Sequence, residues 1–267
     1  MWGYRNLHQN QVQKDECFIL IKAQPHRSSK YYETVCCAGV GRDGNWRRQY
    51  PVPFRILNDT QQFKRWDWIE YEYARSPTDT RKESQKVIPE SLKVGGFVKP
   101  SERSIILNRK IRSSFAEADS FGESLTLLRP SRLELVAREK SAAEISDEQQ
   151  KHAALADQMS FFDATAKPLK TCPMVFKVKW VDNDGKPHSH ECDDWETSAA
   201  YNKFERLYGP DEALKNLKEK YEEQYFRAGL VLGFSTHKRR NVEFGTENQW
   251  LLVGMIRLDF NDQGALL

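Results

Sequence analysis

The chain opens with short apolar and β-branched runs separated by turn residues, a pattern that predicts strands. Phe18 to Lys22 and Glu33 to Val40 are two such runs, with Pro25, Ser28 and Ser29 between them. Gly44, between Asp43 and Asn45, can take the positive φ of a tight hairpin turn, so Trp46 should open a return strand. In the stretch from Phe63 to Ala74, Ile69, Tyr71 and Tyr73 share one strand face and Glu70 and Glu72 the other. These elements predict a β-rich domain over 17–100, a small barrel or sandwich, behind an extension of residues 1–16.

Residues 101–168 read as a basic connector with intermittent periodicity. It should hold one helix near 146–159, with Ser146 as N-cap and Gln149 completing a capping box. Clear patterning returns over 169–262, where Phe176, Val178 and Trp180 alternate with Lys177 and Lys179. A turn at Asp182 to Gly185 then leads into a partner strand from His188 to Cys192. Ala200, Tyr201, Phe204, Leu207 and Tyr208 recur at helical spacing, and Gly209 and Pro210 interrupt them. Leu214, Leu217, Tyr221 and Tyr225 mark a second amphipathic helix closed by Gly229. Apolar strands at 230–234 and 250–260 complete the order β-β-α-α-β-β. The expected fold is α+β, with a small β-rich, barrel-like N-terminal part and a C-terminal sheet carrying helices on one face.

Composition narrows the function classes. With 39% hydrophobic and 12% aromatic residues the chain can fill two cores, which excludes long disorder. No stretch reaches the roughly 18 apolar residues of a membrane helix, and the start has no apolar signal core. We expect a cytoplasmic protein with no membrane contact. Its five cysteines are odd in number, and the adjacent Cys36 and Cys37 cannot easily bridge each other, so reduced thiols are expected. Cys36 and Cys37 sit in a β-branched run and read as core. Forty-one basic against 38 acidic residues leave a net charge of +3, too small to imply nucleic acid by itself.

Local distribution says more. From Trp46 to Arg55 arginines and aromatics alternate around Pro51 and Pro53, which stiffen the segment. Arg47, Arg48 and Arg55 could hold phosphates by their guanidinium forks, and Trp46 and Tyr50 could stack on unpaired bases. A strand with a core face and a solvated face gives the same pattern. Arg103, Arg109, Lys110 and Arg112 could supplement such a surface.

His188, His190, Asp193, Asp194 and Glu196 form the densest run of metal ligands and proton carriers. With Lys177 or Lys179 they could serve a nuclease-like enzyme, the one setting in which a divalent metal enters as cofactor. Asp193 and Glu196 also fit a helix capping box. No second His/Cys cluster at zinc spacing completes four ligands, so no metal site is assigned. The phosphate-loop, dinucleotide, nucleophile-elbow and zincin motifs are missing from the sequence.

The stretch from Lys22 to Val40, the Gly-x-Trp-x-Arg-x-Tyr-Pro-Val-Pro-Phe-Arg pattern of Gly44 to Arg55, and Asp194-Trp195-Glu196 resemble an uncharacterised prokaryotic family. The resemblance covers most of Ile19 to Ser84, including Asp79, Arg81 and Glu83, and most of Pro173 to Ile256. It implies mobile-element and defence neighbourhoods and carries over no catalytic residue. A Cys-containing loop expected before the Asp-Trp-Glu is missing from Asp182 to Lys186. The leading expectation is a nucleic-acid-associated module, binding DNA or RNA without catalysis. The alternatives are the nuclease-like enzyme and a protein-interaction subunit of a larger complex.

Overall fold

The computed structural model describes residues 11–28, 32–76, 78–150, 171–236 and 250–260. The chain divides into two compact units, one made by Met1–Val98 with Asp147–Leu169, the other by Lys99–Ser146 with Lys170–Leu267.

The first unit is built from β1 (Gln13–Lys22), β2 (His26–Ser28), β3 (Tyr32–Gly41), β4 (Trp46–Val52), β5 (Asp67–Arg75) and β6 (Ser84–Phe97). Leaving out the short β2, which pairs with β3, the strands form a closed five-strand barrel in the order β1-β3-β4-β6-β5 and back to β1. Each neighbouring pair is antiparallel except β4 with β6, which is parallel. That order, with one parallel seam, is the topology of the OB-type barrel. β1 is buried from Cys17 through Lys22, which explains a continuous rather than alternating apolar run. It also starts earlier than expected: residues 13–16 pair with β5 and belong to the barrel instead of an extension.

In the second unit the strands are β7 (Ile111–Arg112), β8 (Leu125–Leu128), β9 (Arg132–Glu139), β10 (Met174–Val181), β11 (Pro187–Glu191), β12 (Leu230–Thr236) and β13 (Trp250–Arg257). The helices are α1 (Pro100–Leu107), α2 (Phe115–Ser120), α3 beginning at 142, α4 (Trp195–Tyr208), α5 (Pro210–Lys218) and α6 (Phe226–Gly229). A π-helical stretch, Glu219–Tyr225, joins α5 to α6 and carries the predicted Tyr221 and Tyr225. Trp180, Phe176, Leu217, Tyr221, Phe234 and Leu252 lie at the centre of its core.

Three expectations change here. The C-terminal strands do not share one sheet: β11-β10-β9 is a three-stranded sheet and β13-β12-β8-β7 a four-stranded one. The stretch read as a connector supplies β7, β8 and β9 to these sheets. β8 is a fully buried run of four residues, too short to show a period, and the charged outer positions of β9 masked its alternation. The capping box lies five residues earlier than Ser146: Ser141 Oγ accepts from the Glu144 N–H at 3.2 Å, and Glu144 accepts from the Ser141 N–H at 2.8 Å. Glu144 also takes a hydrogen bond of 2.9 Å from Arg138, an anchor that Gln149 could not offer as a charge. Residues 151–159 of the expected helix lie outside the described residues. No helix among the described residues is long and apolar enough to cross a membrane.

Barrel closure depends on Gly39, where a Cβ would stand 2.2 Å from the Phe18 carbonyl oxygen, at the bulge between Ile19 and Ile21. Gly96, near the end of β6, has nothing within 4 Å of a Cβ. In urea denaturation Gly39→Ala should therefore destabilise the barrel by about 1–3 kcal/mol, with Gly96→Ala close to neutral.

Candidate nucleic-acid interface and the histidine–carboxylate cluster

Alternation along β4 sends its side chains to opposite sides of the barrel wall. Gln49 points inward, fully buried, and its Nε2 donates to Cys17 Sγ and to the Tyr71 hydroxyl, each at 3.0 Å. Tyr71 donates to Gln85 Oε1, and Gln85 Nε2 donates to Asp15 at 2.7 Å. Arg47, on the same side as Gln49, ends this chain of bonds: its Nε meets Asp15 at 2.6 Å and its Nη2 meets Asp43 at 3.0 Å. These two carboxylates raise the Arg47 pKa against the opposing cost of burial. Burial pushes the Cys17 thiol up to about 12 and raises Cys37 as well, as expected of core thiols.

Trp46, Arg48 and Tyr50 project to the other side. Trp46 is buried at 8% exposure, while Tyr50 is 45% exposed and its hydroxyl accepts from Thr34 Oγ1 at 3.4 Å. The Tyr50–Pro51 peptide is cis. Arg48 is 8% exposed, and its Nη2 reaches Glu83 at 3.4 Å. Burial lowers the Arg48 guanidinium to about 10, Arg81 adds to the shift, and Glu83 opposes it. Arg55, in the short 3-10 turn Phe54–Ile56, lies 3.1 Å from Glu33, whose carboxyl is raised by burial against the pull of Arg55 and His26. The five residues singled out thus separate. Tyr50 is open, Trp46 is core, and Arg47, Arg48 and Arg55 each face a carboxylate. Those carboxylates are remote in sequence, Asp15 by 32 residues from Arg47 and Glu83 by 35 from Arg48, so counting charge along the segment missed them. Only the Asp79, Arg81, Glu83 pattern pointed to one of them.

The second constellation separates too. His188 and His190 project to the same side of β11, their ring centroids 6.2 Å apart, among Phe115, Trp180 and Phe234. His190 Nδ1 accepts the Trp180 indole N–H at 3.1 Å, and His188 Nε2 lies 2.8 Å from Asp182. Desolvation would raise Asp182, but His188 and the N–H groups of Lys186 and Asp184 hold it below the usual carboxylate range. Asp194 is fully buried and is the N-cap of α4: it accepts from Glu196 N at 3.3 Å, Thr197 Oγ1 at 3.1 Å and, from β13, Met255 N at 3.1 Å. The expected cap pair of Asp193 and Glu196 is therefore displaced by one residue to Asp194 and Thr197. Thr197 can supply a hydroxyl to the buried Asp194 where a second carboxylate would repel it. Asp193 instead fixes its backbone, N–H to Leu252 O at 2.8 Å. No group of three or more His, Cys, Asp or Glu among the described residues is arranged to hold a metal ion.

Asp194→Ala would strip a cap and remove the acceptor that Thr197 Oγ1 and the Met255 N–H share, so it should cost about 2–4 kcal/mol in thermal or urea unfolding. Asp193→Ala should cost less than about 1 kcal/mol. In the barrel unit, Asp43 and Asp79 are held at about 2 despite desolvation, by Arg47 and Asn45 and by Arg81 and Ser84 respectively. A depressed carboxylate contributes stability above its unfolded value of 3.8, and this contribution is lost as the pH falls through about 2. Urea midpoints should fall between pH 5 and pH 2.5, and Asp43→Asn with Asp79→Asn should shrink that fall.

Comparison with protein families assigns both parts of the chain. Residues 13–111 match the model described as Domain of unknown function (DUF8758), and residues 108–261 match Domain of unknown function (DUF8757). A search of curated proteins finds no match. The second of these models spans more than half of the sequence, and the chain belongs to the DUF8757 family, carrying an adjoining DUF8758 domain.

Proposed function

We propose that this protein is a nucleic-acid-associated binding module whose barrel takes a single strand of DNA or RNA across β3 and β4. The carrying observation is Tyr50, 45% exposed on the third strand of a barrel with OB-type strand order. Barrels of that order bind oligonucleotides on the face of their second and third strands, here β3 and β4, flanked by the loop between the fourth and fifth. In this chain that loop joins β5 to β6 and carries Asp79, Arg81 and Glu83. Tyr50 is the side chain that ties this fold analogy to the protein.

The pairing of the arginines sets the expected mode. A phosphate reaches Arg48 or Arg55 only by displacing Glu83 or Glu33, so little net charge is gained and few counterions are released. Stacking on Tyr50 would then supply the larger share, about 1–3 kcal/mol for one base. Fluorescence anisotropy with labelled single- and double-stranded DNA and RNA, at low and moderate salt, tests this. Binding should favour single strands, vary shallowly with salt, and weaken roughly tenfold in Tyr50→Ala. No binding at low salt, or equal binding by Tyr50→Ala, would overturn the reading.

A further inference from the structure

Arg42, Arg112 and Arg129 each lie over an aromatic ring, and comparing them isolates one. Arg42 covers Trp68 at 3.9 Å and is paired with Glu16 at 3.0 Å. Arg112 covers Phe121 at 4.4 Å and donates to both oxygens of Glu123, at 3.2 and 2.6 Å. Arg129 covers Phe260 at 4.6 Å, and its hydrogen bond runs from Nη1 to the Leu258 carbonyl at 3.2 Å. Among the described residues no carboxylate pairs with it. Partial burial lowers its pKa, with no charged neighbour contributing.

This position is built by the backbone. Leu258 N donates to Gly229 O at 2.7 Å and Phe260 N to Ala228 O at 2.9 Å, which lays the segment after β13 along the end of α6. Gly229 has φ +121°, and a Cβ there would stand 2.3 Å from Leu258 O and 3.2 Å from Arg129 Nη1. Glycine thus keeps open the slot in which the guanidinium sits between a carbonyl and a ring. Phe260 remains 58% exposed. Asp259, next to it in sequence, is occupied by Arg257 at 2.6 and 3.2 Å.

A guanidinium drawn partly out of water without a counter-charge is costly, and an oxyanion at its free donors offsets the cost. Carboxylate and phosphate both suit the fork. The exposed ring beside it discriminates, because a nucleotide carries a flat base for that ring and an acidic side chain does not. We propose that Arg129 and Phe260 form a nucleotide contact in the second unit, with Arg129 donating to a phosphate oxygen and Phe260 stacking on the base. The inference shares its ligand class with the proposed function of the barrel and none of its residues.

Phenylglyoxal footprinting of the wild-type chain, read by mass spectrometry, tests it site by site. Adenosine monophosphate should protect Arg129 and leave Arg112 as reactive as before, more effectively than inorganic phosphate at equal ionic strength. In calorimetry Arg129→Gln should lose roughly tenfold in affinity for adenosine monophosphate, and Phe260→Leu should lose the preference over inorganic phosphate. Protection by inorganic phosphate to the same degree would identify a free-phosphate site and overturn the nucleotide assignment. No protection at Arg129 overturns it outright, and does so even if Arg129→Gln fails to fold. Protection of Arg129 with oligonucleotide affinity indifferent to Tyr50→Ala would sink the barrel reading alone. The reverse pair of results would sink this one alone.

Discussion

The carboxylate of Asp15 decides what the basic segment of the barrel can do. It receives Arg47 Nε at 2.6 Å and Gln85 Nε2 at 2.7 Å, and through Gln85 and Tyr71 it connects to Gln49. Four strands, β1, β4, β5 and β6, are thereby fixed to one interior network, with Arg47 only 16% exposed in its side chain. Removing one partner of a pair this sheltered costs about 3–5 kcal/mol, whereas an exposed pair such as Arg42 with Glu16 contributes about 0–1 kcal/mol. Arg47 is thus held by an energy that a single phosphate contact would not repay. The chemistry open to β4 lies on its other side, at Tyr50.

The second unit obeys the same rule with different groups. Asp194 joins α4 to β13 by capping the helix and accepting from Met255 N, and Glu222 from the π-helical stretch accepts the Leu135 N–H of β9 at 2.6 Å. Asp194 and Glu222 each satisfy backbone or hydroxyl donors of a neighbouring element. The histidines are engaged as well: His190 Nδ1 is occupied by an indole donor, so that lone pair is not available to a ligand. Along this run, His188 meets Asp182, His190 meets Trp180 and Asp194 meets Met255, so each side chain ties its strand or helix to a neighbour.

Much of the architecture was legible because its signals are local. The turn at Gly44, the alternation of Ile69, Tyr71 and Tyr73, the β10–β11 hairpin and the helix ending at Gly229 all follow from residues within one element. β7 and β8 were not legible, since two and four residues carry no period, and without them the four-stranded sheet could not be foreseen. The two capping boxes misplaced by a few residues show a limit of a different kind. Ser141 and Ser146 both satisfy the motif, and the choice depends on Arg138, which the motif does not include. The state of the arginines was the least legible of all, because burial and pairing depend on which strand becomes a neighbour, and the barrel brings together residues 32 and 35 positions apart.

That limit bears on how basic segments should be weighed. With 41 basic and 38 acidic residues, charge alone leaves almost every cation a possible partner, and the fold decides which ones find it. Arg47, Arg48, Arg55 and Arg112 find theirs, so their clustering in sequence says little about a phosphate surface. Arg129 stands apart in sequence, between β8 and β9, and no count of local charge would select it. It becomes conspicuous only once each guanidinium is asked which carboxylate answers it. For a chain this evenly charged, a half-buried guanidinium over a ring with no carboxylate paired to it among the described residues is a better guide to an anionic ligand than the densest cluster.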